Sequence, residues 1–360
     1  MRTTPPIDNQ RIHCVVGGQF GSEAKGHVTA QLLHRLAEIY TNPINVRVGG
    51  PNAGHSAQTY TTQRVVALRT IPIGALVDPS INLIIAAGSE IDPAVLYHEI
   101  DMLREEHNID VVHRLVIDQY ATILEPRHID AEVGSDLNAR TGSTNKGIGA
   151  ARADRLMRSA TIARDYTFRR EITVADTAPM LMHTDQPVVI EGTQGYGLGL
   201  HTAQYPQTTS GDCRAIDLCA QAGVFPTATR PIHVWLTVRT YPIRVAGNSG
   251  PLTDELDWDT LHQRNGNIQP EYTTVTKKMR RVGEWDSELV REAIAANGGN
   301  GAHLSICLMF ADYLDETIYQ LDHYDHLDMP ALVKISALEN DMGQQCAMYG
   351  TSPTTVIWTR

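Results

Sequence analysis

The run Ile12-His13-Cys14-Val15-Val16 leads straight into Gly17-Gly18-Gln19-Phe20-Gly21-Ser22-Glu23-Ala24-Lys25-Gly26. The apolar run has the length and composition of a short buried strand. Beyond the glycines, Val28, Leu32, Leu33, Leu36 and Ile39 recur at the spacing of one helix face. A glycine-rich turn between strand and helix is a seat for phosphate. Glycines let the backbone approach, N–H groups point at the anion, and the helix dipole favours negative charge. Lys25 adds a point charge for the outer phosphates. Two positions depart from the ordinary phosphate-loop pattern. Ala24 stands where the last loop glycine belongs, and Gly26 follows the lysine where Ser or Thr is expected.

A second glycine-rich segment follows at short range. Val46-Arg47-Val48 reads as another strand, and Gly49-Gly50-Pro51-Asn52-Ala53-Gly54-His55-Ser56 leaves it. Asn52 and His55 are the chemically able residues there. Histidine is suited to donate to a phosphoryl oxygen near neutral pH.

Further strand-like runs are Leu83–Ala87, Leu115–Asp118, Val188–Ile190, His233–Val238, Leu304–Met309 and Leu332–Ile335. Helical patterns lie between several of them. Ser89 with Pro93 reads as a helix start. Asp286 reads as the cap of a helix carrying Leu289, Val290 and Ile294 and ending at Asn297-Gly298-Gly299. Arg239–Leu252 reads as a long loop. The alternation predicts an α/β fold, a mainly parallel central sheet with helices on both faces. No clean linker divides the chain, so residues 1–360 read as one domain with inserted loops and subdomains.

Composition narrows the function. Apolar residues make up 42% and charged ones 20%, the balance of a globular protein. The net charge of −11 opposes a purely electrostatic nucleic-acid binder and points to small-molecule substrates. Five scattered cysteines without C-x-x-C spacing fit a reduced, cytoplasmic protein. The polar start of the chain has no signal-peptide core, and the longest apolar run, near Ile81 to Ala87, is too short for a membrane span.

Several motifs together resemble adenylosuccinate synthetase. They are Gly21-x-Glu23-x-Lys25-Gly26, Asn52-Ala53-Gly54-His55, Gly142-Ser143-Thr144-Asn145-Lys146-Gly147-Ile148-Gly149, Glu191-Gly192-Thr193-Gln194-Gly195, Tyr205-Pro206 with Thr208-Thr209-Ser210, and Arg280-Arg281-Val282-Gly283. They occur in family order across most of the chain. The resemblance implies a P-loop-like ligase. Such an enzyme moves the γ-phosphate of a nucleoside triphosphate to O6 of a 6-oxopurine nucleotide. The amine of L-aspartate then displaces that phosphate, and Mg²⁺ is the cofactor.

Carried over by the resemblance, Gly21, Ser22, Glu23, Ala24, Lys25 and Gly26 surround the donor phosphates, with Gly54, His55 and Ser56 beside them. Gly54 offers a carbonyl to Mg²⁺, and His55 acts as acid on the phosphoryl oxygen. Asn52, Thr144, Gln194 and Thr209 hold the acceptor nucleotide. Arg158 reaches across a dimer interface to the acceptor phosphate. Thr276 and Arg280 grip aspartate, Arg280 by a bidentate carboxylate contact. Gly350, Thr351 and Ser352 form the donor-base loop.

Three departures point to the phage branch of the family, the diaminopurine branch that starts from dGMP. Ser22 stands where the ordinary family has the Asp that acts on purine N1 and ligates Mg²⁺. A serine is a very weak base and a weaker ligand, but its shorter side chain makes room for the 2-amino group of guanine. The base then becomes the aspartate substrate's carboxylate, a relayed water, or Ser22 polarised by Mg²⁺. Lys278 replaces an arginine near the ribose, consistent with a deoxyribose. Met309-Phe310-Ala311-Asp312 replaces a Thr-Lys-Leu-Asp run that reads GTP. Phe310 is either a stacking surface for any base or core at a strand end. The expected reaction is condensation of dGMP with L-aspartate, driven by ATP or dATP, in a homodimer. The alternatives are the ordinary synthetase, using IMP and GTP, and a silent nucleotide-binding regulator.

Overall fold

The computed structural model describes residues 7–169, 171–273 and 277–359. Its centre is a sheet of ten strands. In spatial order they are Val356–Trp358, Cys346–Gly350, Leu304–Met309, Ile232–Arg239, Ile12–Gly17, Val188–Gly192, Ile44–Val48, Asn82–Ile85, Leu115–Asp118 and Thr173–Ala175. All neighbours are parallel except Val356–Trp358, which runs antiparallel at one edge. The α/β fold class with helices on both faces is therefore present.

The central strands are apolar throughout because both faces are covered. On Ile12–Gly17, Val15 points into one core while Ile12, Cys14 and Val16 point into the other, the two-residue period of a strand. The first core holds Leu32, Leu33 and Leu36 of the helix Lys25–Ala37 and Leu96, Ile100 and Leu103 of the helix Pro93–His107. The second holds Leu218 and Cys219, Val290 and Ile294, and Ile335 and Leu338, from the helices Ala215–Gln221, Ser287–Ala296 and Met329–Met342. Cutting any of these leucines to alanine costs about 2–5 kcal/mol. All five cysteines are free and buried.

The structure corrects several sequence expectations. Leu332–Ile335 is not a strand but lies inside the helix Met329–Met342. The Asp328 carboxylate caps that helix by accepting from the Ala331 amide, and Pro330 pre-sets its first turn. Ser89 does not start the helix Pro93–His107. Asp92 caps it, accepting from Ala94 and Val95, while the Ser89 hydroxyl donates to the Arg47 carbonyl. Ile39 falls beyond the end of its helix and is exposed. Arg239–Leu252 is not wholly loop, since Ile243–Arg244 pairs with Arg281–Gly283 in a small three-stranded sheet completed by Glu255–Leu256. Asp286 caps Ser287–Ala296 as expected, and Gly298 and Gly299 leave it at positive φ.

Candidate active site

Loops from the carboxyl ends of six neighbouring strands converge on one cavity of about 470 Å³. They follow Gly17, Val48, Gly192, Arg239, Met309 and Gly350. That edge of an open parallel sheet is where such folds bind ligands.

The glycine-rich loop after Gly17 enters the cavity through Gly21, Ser22, Ala24, Lys25 and Gly26. Ser22 and Ala24 both sit in the left-handed region, with φ of 60° and 62°. That conformation costs a non-glycine residue roughly 1–2 kcal/mol and is typical of functional turns. Gly26 has a packing reason. A Cβ there would lie 2.7 Å from the His55 Cβ and 3.0 Å from the Ser56 amide nitrogen, so no Ser or Thr fits after the lysine. Glu23 does not line the cavity. Its buried carboxylate accepts from the Gln19 and Gly21 amides at 3.1 and 2.7 Å and binds the Lys25 ammonium at 2.6 Å. It braces the loop from beneath and holds Lys25 in place.

His55 begins a short strand paired with Val65–Leu68. Its Nδ1 lies 2.5 Å from Glu191 Oε1, a separation that places a proton between them and makes the imidazole the donor. Arg47 donates to the same oxygen at 2.5 Å, and the Ile73 amide donates to Glu191 Oε2 at 2.9 Å. Arg47 also donates to the Ala53 carbonyl at 2.6 Å, fixing the Asn52–Gly54 turn. Burial and the adjacent Arg47 lower the His55 pKa to about 4, against the pull of Glu191. Burial alone would raise the Glu191 carboxyl, but Arg47 and His55 outweigh it and hold the pKa at about 2. The imidazole is thus neutral, with Nε2 the ring nitrogen left for the cavity.

At the far side Glu271 gathers cations. It binds Arg280 at 3.0 Å and Arg239 through both guanidinium nitrogens, and Tyr313 donates to it at 3.4 Å. Arg239 also donates to the Ser22 carbonyl at 3.2 Å and lies 4.1 Å over the Phe310 ring. This network ties the glycine-rich loop, the Arg280 segment and the aromatic turn together.

Of the residues expected from sequence, the cavity is lined by Gly21, Ser22, Ala24, Lys25, Gly26, Asn52, Gly54, His55, Ser56, Thr144, Gln194, Lys278, Arg280, Phe310, Asp312 and Ser352. Thr209 lines a small adjoining cavity, which shares Asn52 and Gln194. Gly350 and Thr351 lie behind the wall. Thr351 is fully buried and donates its hydroxyl to the Leu321 carbonyl. Arg158 ends the helix Ile148–Met157, exposed and outside its own chain's cavity. Thr276 lies outside the described residues. Sequence reasoning placed Glu191 in a motif without a role of its own, and missed Arg47, Arg239, Glu271 and the cavity-lining His27. Arg47 and Glu191 carried a signal, since each is a charge set in or at the end of an apolar strand run.

No group of three or more His, Cys, Asp or Glu among the described residues is arranged to hold a metal. No described helix is long and apolar enough to cross a membrane.

The class of protein, a ligase that forms a C–N bond, follows from the family to which this site and fold belong. The chain belongs to the adenylosuccinate synthetase family. The adenylosuccinate synthetase family model matches residues 14–174 and 165–352. The adenylosuccinate synthetase of Pyrococcus sp. (strain ST700) is 33% identical over 345 residues, 94% of this chain and 95% of that one. That of Pyrococcus horikoshii is 34% identical over 345 residues, with the same coverage. Among solved structures, the cyanophage S-2L succinoaminodeoxyadenylate synthetase, bound to dGMP and dATP as an energy donor, superimposes with a TM-score of 0.77 at 26% identity, covering 97% of this chain and 95% of that one. The fully ligated adenylosuccinate synthetase of Plasmodium falciparum has the same fold, with a TM-score of 0.80 at 19% identity over 97% and 100% of the two chains.

Proposed function

We propose that this enzyme condenses dGMP with L-aspartate, using ATP or dATP, to give N6-succino-2-amino-2'-deoxyadenylate for diaminopurine nucleotide synthesis in a phage. The observation that carries the reading is Ser22. It faces the cavity beside Asn52 and Gln194, with no carboxylate at that position. A short hydroxyl there leaves room for the guanine 2-amino group. The likeness to the cyanophage enzyme, whose ligands are dGMP and dATP, supports it.

The γ-phosphoryl group of the donor passes to O6 of dGMP, the N1 proton passes to the aspartate substrate's carboxylate, a relayed water or Ser22, and the donor departs as its diphosphate. The aspartate amine then attacks C6 and inorganic phosphate leaves. An amide-like oxygen is a poor leaving group, and phosphorylation makes it a good one. Lys25, pre-positioned by Glu23, neutralises phosphoryl charge. His55 is held by Glu191 with Nε2 toward the cavity. An arriving phosphoryl anion raises its proton affinity, so it takes up a proton and donates to the oxygen. Arg280 exchanges its contact with Glu271 for a carboxylate of aspartate.

Mg²⁺ fits the part of this cavity lined by Ser22 and Gly54, whose hydroxyl and carbonyl are hard oxygen donors. The ion is usually held by few protein ligands together with substrate phosphates and water. The Gly54 carbonyl and the Ser22 hydroxyl would hold it, and when bound it would offset charge on the donor phosphates.

The homodimer belongs to the same proposal. Arg158 lies outside its own cavity, and next to it Leu156 and Met157 are each 76% exposed, an apolar surface for a second copy. The ordinary reaction with IMP and GTP is the second reading, favoured by the archaeal relatives.

The test is product identity. Phosphate release that requires dGMP, L-aspartate and ATP together, with a product carrying aspartate nitrogen at C6, is the expected result. Phosphate release indifferent to aspartate would defeat the proposal.

A further inference from the structure

Phe310 leaves the strand Leu304–Met309 in the left-handed region, with φ 59°, and starts the short turn Ala311–Tyr313. That conformation turns the phenyl ring to the cavity. Arg239 backs the ring at 4.1 Å, and Tyr313 meets it edge-on at 5.2 Å. Ser352 and Pro353 line the same cavity. An aromatic face held from behind thus lies in the same cavity wall as the Asp312 carboxyl group. Asn265 pins the turn by donating to the Asp312 carbonyl at 2.7 Å.

The Asp312 side chain is only 6% exposed and lines the cavity. Among the described residues its carboxyl group forms no ion pair, and its one hydrogen-bond donor is its own backbone amide. The nearby cation, Arg239, is committed to Glu271 and to the Ser22 carbonyl. Of the other ionisable groups around it, Tyr313 donates to Glu271, which also holds Arg280. Asp315 on the next turn pairs with Lys334, Glu316 is exposed, and Tyr349 on the adjoining strand donates to Glu339. His27 lines the cavity and is kept neutral, its pKa lowered to about 4 by burial. Nothing commits Asp312 to the ionised form. Burial pushes its pKa up to about 7, with its own amide and Arg239 opposing.

We propose that Asp312 reads the donor purine through its own protonation state, pairing with adenine as a neutral carboxyl and with guanine as a carboxylate. This rests on reading the cavity as a donor-nucleotide site. Adenine presents an acceptor, N1, beside an N6 amino donor. A neutral carboxyl offers one donor and one acceptor to match. Guanine presents two donors, N1–H and the 2-amino group, and a carboxylate offers two acceptors. The wrong form sets lone pair against lone pair, or proton against proton, in a buried site, and unpaired buried groups are what create discrimination. Donor choice is thereby linked to pH, with adenine favoured on the acid side.

The experiment measures kcat/KM for ATP and for GTP with dGMP and aspartate saturating, from about pH 6 to about pH 8.5, and takes their ratio at each pH. Ionisations common to both reactions, such as that of the γ-phosphate, cancel in the ratio. The ATP-to-GTP ratio is expected to fall roughly tenfold per pH unit across the range, because it follows the ratio of neutral to ionised Asp312. Asp312→Asn carries a permanent donor and acceptor, so its ATP-to-GTP ratio should be flat across the range. A flat ratio in the wild-type protein, or the same slope in Asp312→Asn, overturns the proposal while leaving the ligase reading intact. If no donor supports turnover, the ligase reading fails instead. The same ratio is then taken from equilibrium binding of ATP and GTP, and the same slope and the same loss in Asp312→Asn are required.

Discussion

Nδ1 of His55 lies 2.5 Å from Oε1 of Glu191, and Glu191 is the register partner of Arg47 on the adjacent parallel strand. The imidazole is thereby fixed in ring orientation and tautomer before any substrate arrives. Replacing Glu191 by Gln keeps the volume but leaves Arg47 buried without its counter-charge. We expect kcat to fall by about tenfold or more and stability by about 3 kcal/mol, the lower end for a broken buried pair. Unchanged kcat and an unchanged thermal midpoint in Glu191→Gln would show the contact to be incidental.

Acid should destabilise the protein in two stages. The folded-state pKa of His55 is lowered to about 4 from 6.5, so between those values the unfolded chain binds a proton that the native state refuses. His13 and His27 behave alike. Each such shift amounts to about 3 kcal/mol, all of it lost by the time pH reaches the native value. Glu191, lowered to about 2 from 4.5, adds stability that is present above 4.5 and lost as pH falls through 2. Unfolding midpoints should drop steadily below pH 6.5, and His55→Gln should flatten part of the upper stage. A midpoint constant from pH 7 to pH 4 contradicts the buried neutral histidines.

Much of this was legible in the chain. The apolar runs at Ile12, Val46, Val188, His233 and Leu304 became central strands because a parallel sheet buried on both faces needs unbroken apolar sequence. Leu332–Ile335 misled for the same reason. Four consecutive residues do not separate a strand from one turn of a buried helix, and the stronger signal was Asp328-Met329-Pro330 just before it. The glycine motifs located the cavity, but not which way each side chain points. Glu23 turned inward to the Gln19 and Gly21 amides instead of toward a ligand. Arg47 and Glu191 stand 144 residues apart, and only the strand order makes them neighbours.

Ser22→Asp tests the acceptor site from the inside. A carboxylate returned to this position should occupy the space left for the guanine 2-amino group and restore a base for N1. Activity with dGMP should drop by at least tenfold, and activity with IMP should rise, the penalty of a steric and polar mismatch in a closed pocket. Full dGMP activity in Ser22→Asp removes the steric argument.

Arg158 tests the shared site. Arg158→Ala and Lys25→Ala should each be nearly inactive alone, with losses of about a hundredfold or more for groups that bear on phosphate charge. Mixed and re-equilibrated, they should recover part of the activity, because one site of each hybrid dimer then holds both wild-type groups. Hybrid dimers shown to form without any recovery would place Arg158 in its own subunit's site or outside any site.

The most direct measurement is acceptor choice in the wild-type enzyme. With ATP and L-aspartate saturating, kcat/KM for dGMP is compared with that for IMP at equal concentrations. Ser22 facing the cavity predicts dGMP well ahead, by roughly a hundredfold if the 2-amino group finds a partner that IMP leaves empty. IMP turning over well above dGMP would contradict the account and return the enzyme to the ordinary reaction of its family.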